Sequence, residues 1–313
     1  MRIQRRELLG GLLATSAWCT VGPPAAGSNA RSAPRFPLAL NGSTLRGHRL
    51  PLREQLRIAW ETGYDGFEVW LSDLESHERN GGRPEDLAKE CADHGLTIVG
   101  TIGFASWIVD DPQTRRAGLE QLRRDMDRTA RLGARYLAAP PAGAHRTETP
   151  IPLDVVADRF RVVAELGREM GVTPQLEIWG SSTNLRRLEE AAYVLARTGH
   201  PNIALLADVF HIYKGGSSPH AMRMFGPSVL AVFHMNDYPE NPPHETIRDA
   251  DRIWPGDGVA PLRELLQTMA ANGARPALSL ELFNESYWKL PAAETARIGL
   301  KKMREVLRAA GLD

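Results

Sequence analysis

Short, nearly continuous apolar runs alternate with longer amphipathic stretches from residue 36 onward. Such runs are typical of parallel strands that are covered on both faces. A polar side chain or a loop of polar residues follows most of them. The pattern predicts eight strands, at 36–41, 66–71, 96–101, 134–139, 174–179, 205–208, 230–234 and 278–281.

The stretches between these runs have helical spacing, as in Leu52, Leu56 and Ala59. Most of them begin near proline and end on glycine, which matches the usual preferences at helix termini. They predict eight helices, at 51–62, 84–94, 112–132, 152–170, 184–198, 219–224, 261–272 and 291–310.

Eight strands alternating with eight helices predict an α/β protein, a single (β/α)8 TIM barrel over residues 34–313. An open doubly wound sheet is the alternative. That fold usually carries a glycine-rich G-x-G-x-x-G turn after its first strand, and the residues at 41–44 (Asn-Gly-Ser-Thr) do not match it.

The first 33 residues differ from the rest and are predicted to be an export signal with a short linker. Arg5 and Arg6 precede an apolar stretch at 8–18, which is too short to span a bilayer. This arrangement resembles a twin-arginine signal, and a disordered tail is the alternative. We therefore expect export to the periplasm, with no membrane attachment after the signal is cleaved.

The charge balance excludes some classes of partner. The chain has 38 basic and 38 acidic residues and a formal net charge of zero. It therefore lacks the basic field that would attract nucleic acid or an anionic membrane surface. Its two cysteines, Cys19 and Cys91, are too few for a disulfide framework. The sequence leaves open whether the chain forms a homo-oligomer.

The last four predicted strands each end on or beside a side chain that can bind a metal. These are Glu177, Asp208, His234 and Glu281. Any one of them could be a solvated charge, but the same position recurs on four strands. The carboxyl ends of barrel strands meet at one face, where active sites lie. Three carboxylates and one imidazole, without cysteine, favour Mn²⁺, Mg²⁺ or Co²⁺ over a structural Zn²⁺.

This series resembles the metal-binding set of the xylose isomerase-like barrels. More narrowly, it resembles the sugar phosphate isomerase/epimerase family, which includes ketose 3-epimerases and inosose dehydratases. The segments at 208–211 (Asp-Val-Phe-His), 234–237 (His-Met-Asn-Asp) and 254–258 (Trp-Pro-Gly-Asp-Gly) extend the likeness across residues 36–310. The family often has Gly-Glu-Gly where this chain has Gly-Asp-Gly, and no clear phosphate cradle is present.

The resemblance implies roles for individual residues. Glu177 and Glu281 would bind the metal and also transfer protons. His211 would contact a substrate oxygen, with Asn236 and Arg252 as further substrate contacts. The resemblance also implies one divalent metal, and we expect Mn²⁺, with Mg²⁺, Co²⁺ and Zn²⁺ as alternatives.

Aromatic residues follow several predicted strands and could stack on the C–H face of a sugar ring. Packing at the barrel rim is the alternative for each of them. We expect Glu68 to be a buried salt-bridge partner, with a supporting contact to the residues of the site as the alternative, and His145 to be a loop histidine. The aromatic candidates for substrate binding are Trp70, Trp107, Trp179 and Phe283, with Phe104 and Trp288 nearby.

Together these features predict a metal-dependent isomerase or epimerase acting on a keto-sugar or related polyol. One glutamate would remove the proton next to the carbonyl to give an enediolate, and the other would return it. A lyase of the inosose or dehydroshikimate dehydratase type would use the same residues and is the first alternative. An exported carbohydrate-binding barrel without turnover is the second.

Overall fold

A computed structural model describes residues 36–313, so the predicted export signal lies outside the described residues. In this part of the chain, eight parallel strands form a closed barrel in sequence order, with β1 also paired to β8. The predicted (β/α)8 fold is confirmed. The strands are β1 (Leu38–Asn41), β2 (Gly66–Trp70), β3 (Thr97–Ile102), β4 (Tyr136–Ala139), β5 (Thr173–Glu177), β6 (Ala204–Asp208), β7 (Leu230–Met235) and β8 (Ala277–Leu280).

Helices connect the strands and surround the barrel. Among residues 36–313, none of them combines the length and apolar character that a membrane span requires. The α-helices are α1 (Leu52–Thr62), α2 (Leu71–Arg79), α3 (Pro84–Asp93), α4 (Pro112–Arg131), α5 (Leu153–Met170), α6 (Leu188–Thr198), α7 (Val209–Gly215), α8 (Leu262–Ala271) and α9 (Ala292–Ala310).

Helices α2 and α7 are additional to the predicted ones, because each follows its strand directly without proline or glycine between them. The apolar run of β2 continues into Leu71, and that of β6 resumes directly after Asp208 with Val209 and Phe210. The carboxylate of Asp208 caps α7 by accepting a hydrogen bond from the backbone N–H of His211. The predicted helix at 219–224 is a 3-10 helix, Pro219–Met224, and α6 begins four residues later than predicted.

The barrel interior changes from apolar to polar along the strands. Alternate residues of a strand point to the same face. Leu206 and Val232 belong to an apolar cluster inside the barrel, and Asp208 and His234 follow each of them by two positions. Larger apolar side chains fill the space between the strands and the helices. This alternation brings buried polar groups together at the carboxyl ends of the strands.

Candidate active site

Asp208, His234 and Glu281 converge at the carboxyl ends of β6, β7 and β8. Asp208 lies beside His234 in the strand register, and Glu281 immediately follows β8. Each offers one ligand atom, and these three atoms lie within 4.8 Å of one another. All three residues are buried. Glu177, at the end of β5, is outside this trio but lines the same cavity as Glu281.

A buried carboxylate from β2 orients His234. Glu68 Oε2 lies 2.9 Å from His234 Nε2 and also accepts hydrogen bonds from Asn41 and Ser279. Burial alone would raise the pKa of Glu68, but His234 and these two hydrogen bonds outweigh it and lower the pKa. The other ring nitrogen, His234 Nδ1, is 3.1 Å from Glu281 Oε2 and has no hydrogen-bond partner among residues 36–313. Once it has lost its proton, Nδ1 is therefore placed to bind a cation together with Glu281 and Asp208.

Arg252 gives the buried carboxylates a counter-charge. Its guanidinium is 1% exposed, and Nη1 donates to Asp208 Oδ2 and Glu281 Oε2, each at 2.8 Å. Nη2 donates to Asp249 Oδ1 at 2.6 Å and lies 3.3 Å from His211 Nε2. Burial would raise the pKa of Asp208, but Arg252 and His211 outweigh it and hold the pKa well below its usual range.

The environment of Glu177 raises its pKa, whereas that of Asp208 lowers it. Burial, with the nearby charges of Glu281 and Asp208, raises its pKa to about 8, although His234 opposes the shift. Its Oε2 atom is buried and has no hydrogen-bond partner among the described residues. A carboxyl group with a pKa near neutrality can both take up and release a proton at physiological pH. A bound cation would lower this pKa.

Several of these side chains line one cavity of about 450 Å³, a size that suits a small molecule. Aromatic rings form an arc along one wall. Trp70 is 5.2 Å from Phe104 and 6.2 Å from Phe283 between ring centroids, and Phe104 is 6.1 Å from Trp179. Glu177, Glu281, His211 and Arg252 line other parts of the cavity. The cavity thus offers both an apolar surface and a polar, charged surface.

Most of the predicted site residues meet at this cavity. Asp208 and His234 are fully buried and do not line it. The predicted residues that do line it are Glu177, Glu281, His211, Arg252, Trp70, Trp179 and Phe283.

Two predicted substrate contacts, Asn236 and Trp107, do not line this cavity. Asn236 is buried, does not line the cavity, and donates from Nδ2 to Asp208 Oδ2 at 3.1 Å. Trp107 is 1% exposed because the segment after β3 packs it against Phe160 of α5, with ring centroids 5.4 Å apart. Its indole N–H donates to the carbonyl oxygen of Pro140 at 2.8 Å. It is a packing residue.

Three residues have larger parts in the site than the sequence indicates. Glu68 is predicted first as a salt-bridge partner, with a supporting contact to the site as the alternative, and it contacts His234. His145 is predicted as a loop histidine and lines the cavity. Arg46 is not among the predicted site residues, and its guanidinium carbon lies 3.7 Å from the centroid of the Trp70 ring. No spacing rule identifies Arg46, because it lies in a short 3-10 helix, Gly42–His48, that follows β1.

The fold and the cavity define a class: (β/α)8 barrels with an acid–histidine cluster at the carboxyl ends of the strands, where barrel enzymes have their active sites. Residues 56–306 match the family described as the xylose isomerase-like TIM barrel. This match covers most of the chain, which therefore belongs to that family.

Three proteins with sequences similar to this chain are enzymes. An inosose isomerase of Bacillus velezensis is 25% identical over 251 residues, covering 79% of this chain and 88% of the relative. A 3-dehydroshikimate dehydratase of Pseudomonas aeruginosa is 28% identical over 257 residues, which are 80% of this chain but 39% of that protein. A fructoselysine 3-epimerase of Escherichia coli O157:H7 is 24% identical over 283 residues, covering 83% and 96%.

A solved structure of the IolI protein with a bound zinc atom has the same fold. Its TM-score to this chain is 0.80 at 23% sequence identity, and the match covers 88% of this chain and 99% of the other.

Proposed function

We propose that this protein is a divalent-metal-dependent isomerase or epimerase that acts on a keto-sugar or a related cyclic polyol ketone. The observation that carries this proposal is that Glu177 and Glu281 line one cavity, with Glu281 Oε2 only 3.1 Å from the Nδ1 atom of His234. The inosose isomerase and fructoselysine 3-epimerase relatives support it.

The residues of the site fit a divalent metal. Glu177, Asp208, His234 and Glu281 would hold it, and two of their ligand atoms, Glu177 Oε2 and His234 Nδ1, are buried without hydrogen-bond partners among the described residues. The carboxylate-rich donor set favours Mn²⁺, with Mg²⁺, Co²⁺ and Zn²⁺ as alternatives. The likeness to the zinc-bound IolI structure supports a divalent ion. Such an ion, when bound, polarises a substrate carbonyl.

The protein's own residues would position the substrate and move the proton. Glu177 and Glu281 come from β5 and β8, so they reach the substrate from different sides of the cavity. One would take the proton from the carbon next to the carbonyl, and the other would deliver a proton to the opposite face. His211 and Arg252 would hold substrate oxygens, while the aromatic arc would contact the C–H surface and exclude water.

A dehydratase is the second candidate, because the 3-dehydroshikimate dehydratase relative is 28% identical over 257 residues. It would begin with the same proton abstraction. The reaction would then expel a β-hydroxyl group instead of returning the proton to carbon, and the product would be unsaturated.

The test is to incubate Mn²⁺-loaded protein in D₂O with keto-sugars, inososes and 3-dehydroshikimate, and to follow the products by NMR. An isomerase or epimerase gives a product with deuterium beside the carbonyl, whereas a dehydratase gives an unsaturated product. Glu177→Gln and Glu281→Gln should each lower turnover by at least about 10²-fold. Glu294→Gln, an exposed position in α9, is the control. Absence of exchange and turnover with every probe would refute the proposal and favour a binding protein.

A further inference from the structure

His145 reaches the active-site cavity from the side of the barrel opposite Glu281. It lies in the loop after β4, and β4 is diametrically opposite β8 in the strand order. The metal-binding candidates come from β5 to β8, yet His145 lines the same cavity as Glu177 and Glu281. A substrate held by the acidic cluster would therefore extend toward His145.

The loop around His145 is held in place by hydrogen bonds from the loop after β5. The backbone N–H of Thr183 donates to the carbonyl oxygen of His145 at 3.0 Å, and the buried Asn184 donates from Nδ2 to the carbonyl oxygen of Ala144 at 2.7 Å. Thr183 Oγ1 donates to the carbonyl oxygen of Thr147 at 3.0 Å. The imidazole also packs edge-on against Trp179, with ring centroids 5.6 Å apart. The position of the ring is therefore fixed.

The two nitrogens of the imidazole are not used by these contacts. Neither of its nitrogens has a hydrogen-bond partner among residues 36–313, and Nδ1 is fully buried. Trp70, which also lines the cavity, differs in this respect, because its indole N–H already donates to Asn41 Oδ1 at 2.8 Å. Nε2 has no partner in the described part of the chain either and is not fully buried, so it is the nitrogen that a ligand in the cavity can reach and supply with a hydrogen bond.

We propose that His145 is a specificity-determining residue that hydrogen-bonds a substrate hydroxyl remote from the reacting carbonyl. The inference rests on the proposed function, because it takes the acidic cluster as the place where the carbonyl is held. An imidazole can donate and accept, so it suits a hydroxyl group, which does both. The cavity would thus select a polyol that is long enough to span it and that carries a hydroxyl at the far end, over an analogue that lacks this hydroxyl.

The test compares kcat/KM for the keto-sugar or inosose that exchanges deuterium with kcat/KM for its deoxy analogues, each lacking one hydroxyl. His145→Phe keeps a ring against Trp179 and removes both nitrogens. The preference is the ratio of kcat/KM for the hydroxylated substrate to kcat/KM for a deoxy analogue. For the analogue that lacks the hydroxyl bound by His145, this variant should reduce the ratio by about 3- to 10-fold, the range expected for a neutral hydrogen bond. His145→Gln should restore part of the preference. Arg146→Ala, an exposed neighbour in the same loop, should leave it unchanged.

Two results would overturn the inference. The preference could be the same in His145→Phe and wild type for every deoxy analogue. Alternatively, His145→Phe could lower kcat/KM equally for hydroxylated and deoxy substrates, which is the effect of a purely structural residue. Circular dichroism should establish that the variant is folded.

The inference and the proposed function can fail separately. If wild type turns over none of the probes, the proposed function fails. Binding of an inosose and its deoxy analogues, followed by tryptophan fluorescence, then tests His145 by itself. Loss of the binding preference in His145→Phe supports the inference, and an unchanged preference or the absence of binding contradicts it.

Discussion

Glu68 Oε2 lies 2.9 Å from His234 Nε2, and both side chains are fully buried. This contact decides which histidine nitrogen faces the carboxylates of Asp208 and Glu281. A carboxylate at Nε2 favours a proton on that nitrogen and leaves Nδ1 as the ligand atom. Burial would lower the pKa of His234, but Glu281, Glu68 and Asp208 hold it well above its usual range in the metal-free protein. A bound dication would displace the Nδ1 proton, so metal affinity should increase with pH.

Glu68→Gln should lower metal affinity by about 10- to 100-fold, because a neutral amide makes His234 a weaker base and fixes its orientation less firmly. Metal titration followed by calorimetry measures the effect. Ser279→Ala removes only the 2.6 Å hydrogen bond to Glu68 Oε2 and should have a smaller effect. Unchanged affinity in Glu68→Gln would show that the contact does not support metal binding.

The strands and their inward-facing ends could be predicted from sequence because they depend on local pattern. Apolar runs predicted the strands, and the position of Asp208 and His234 at the carboxyl ends of their strands placed them together at one face of the barrel. Helices α2 and α7 could not be predicted in the same way. Proline and glycine are the sequence signals of helix ends that predicted the other helices, whereas these two helices follow their strands directly without either residue.

The long loop after β7 could not be placed from sequence, because its path depends on tertiary contacts. Asp237 fixes it: Oδ2 accepts hydrogen bonds from the N–H groups of Gly256 and Gly258, and Oδ1 accepts from that of Ala260. This path brings Arg252 to Asp208, a contact between residues far apart in the chain. The same limitation explains Trp107, since sequence places it after β3 but does not say which way its loop folds.

Asp125 makes stability depend on pH at a position away from the candidate active site. Burial, with the nearby charge of Glu75, raises its pKa to about 6, although Arg128 opposes the shift. An unfolded aspartate has a pKa of about 3.9. Between these two values the native state retains a proton that the unfolded state has lost. The contribution of Asp125 to stability therefore falls as pH rises from about 4 to about 6, and is constant above that range.

Asp125→Asn should remove the decrease in stability that Asp125 causes between about pH 4 and about pH 6. The free energy of unfolding of the variant minus that of wild type should therefore increase by up to about 3 kcal/mol as pH rises from about 4 to about 7. Urea unfolding at the two pH values measures the difference. Asp127→Asn, an exposed position in the same helix, should follow the wild-type dependence. If Asp125→Asn also runs parallel to wild type, Asp125 is not the group that retains the proton.

The export signal stays a prediction, and we propose that it directs the chain to the periplasm. Replacing Arg5 and Arg6 together by lysine should leave folded, precursor-length protein in the cytoplasm, because the twin-arginine route depends on this pair. Cell fractionation with mass determination measures the outcome. A control variant with the same change at Arg53 and Arg57, both on the exposed side of α1, should be exported normally. Continued export of the Arg5 and Arg6 variant would point to another secretory route.

Arg252 should stabilise the metal-free protein more than the metal-bound one. Its Nη1 atom donates to both Asp208 and Glu281, so Arg252→Met leaves two buried carboxylates without that counter-charge. Removing one partner of a buried ion pair costs about 3–5 kcal/mol. A bound dication between the same carboxylates supplies positive charge, so the cost should shrink when metal is present.

Urea unfolding with EDTA and with Mn²⁺ measures the two costs. The free energy of unfolding of Arg252→Met should be lower than that of wild type by about 3–5 kcal/mol in EDTA and by clearly less at saturating Mn²⁺. Its KM should rise in both cases, because a predicted substrate contact is lost. Arg248→Ala, in the same loop and paired with Asp251 at the surface, should lose about 1 kcal/mol or less in both conditions. An equal loss for Arg252→Met with and without Mn²⁺ would show that the metal does not bind between Asp208 and Glu281. It would then have to be sought elsewhere in the protein.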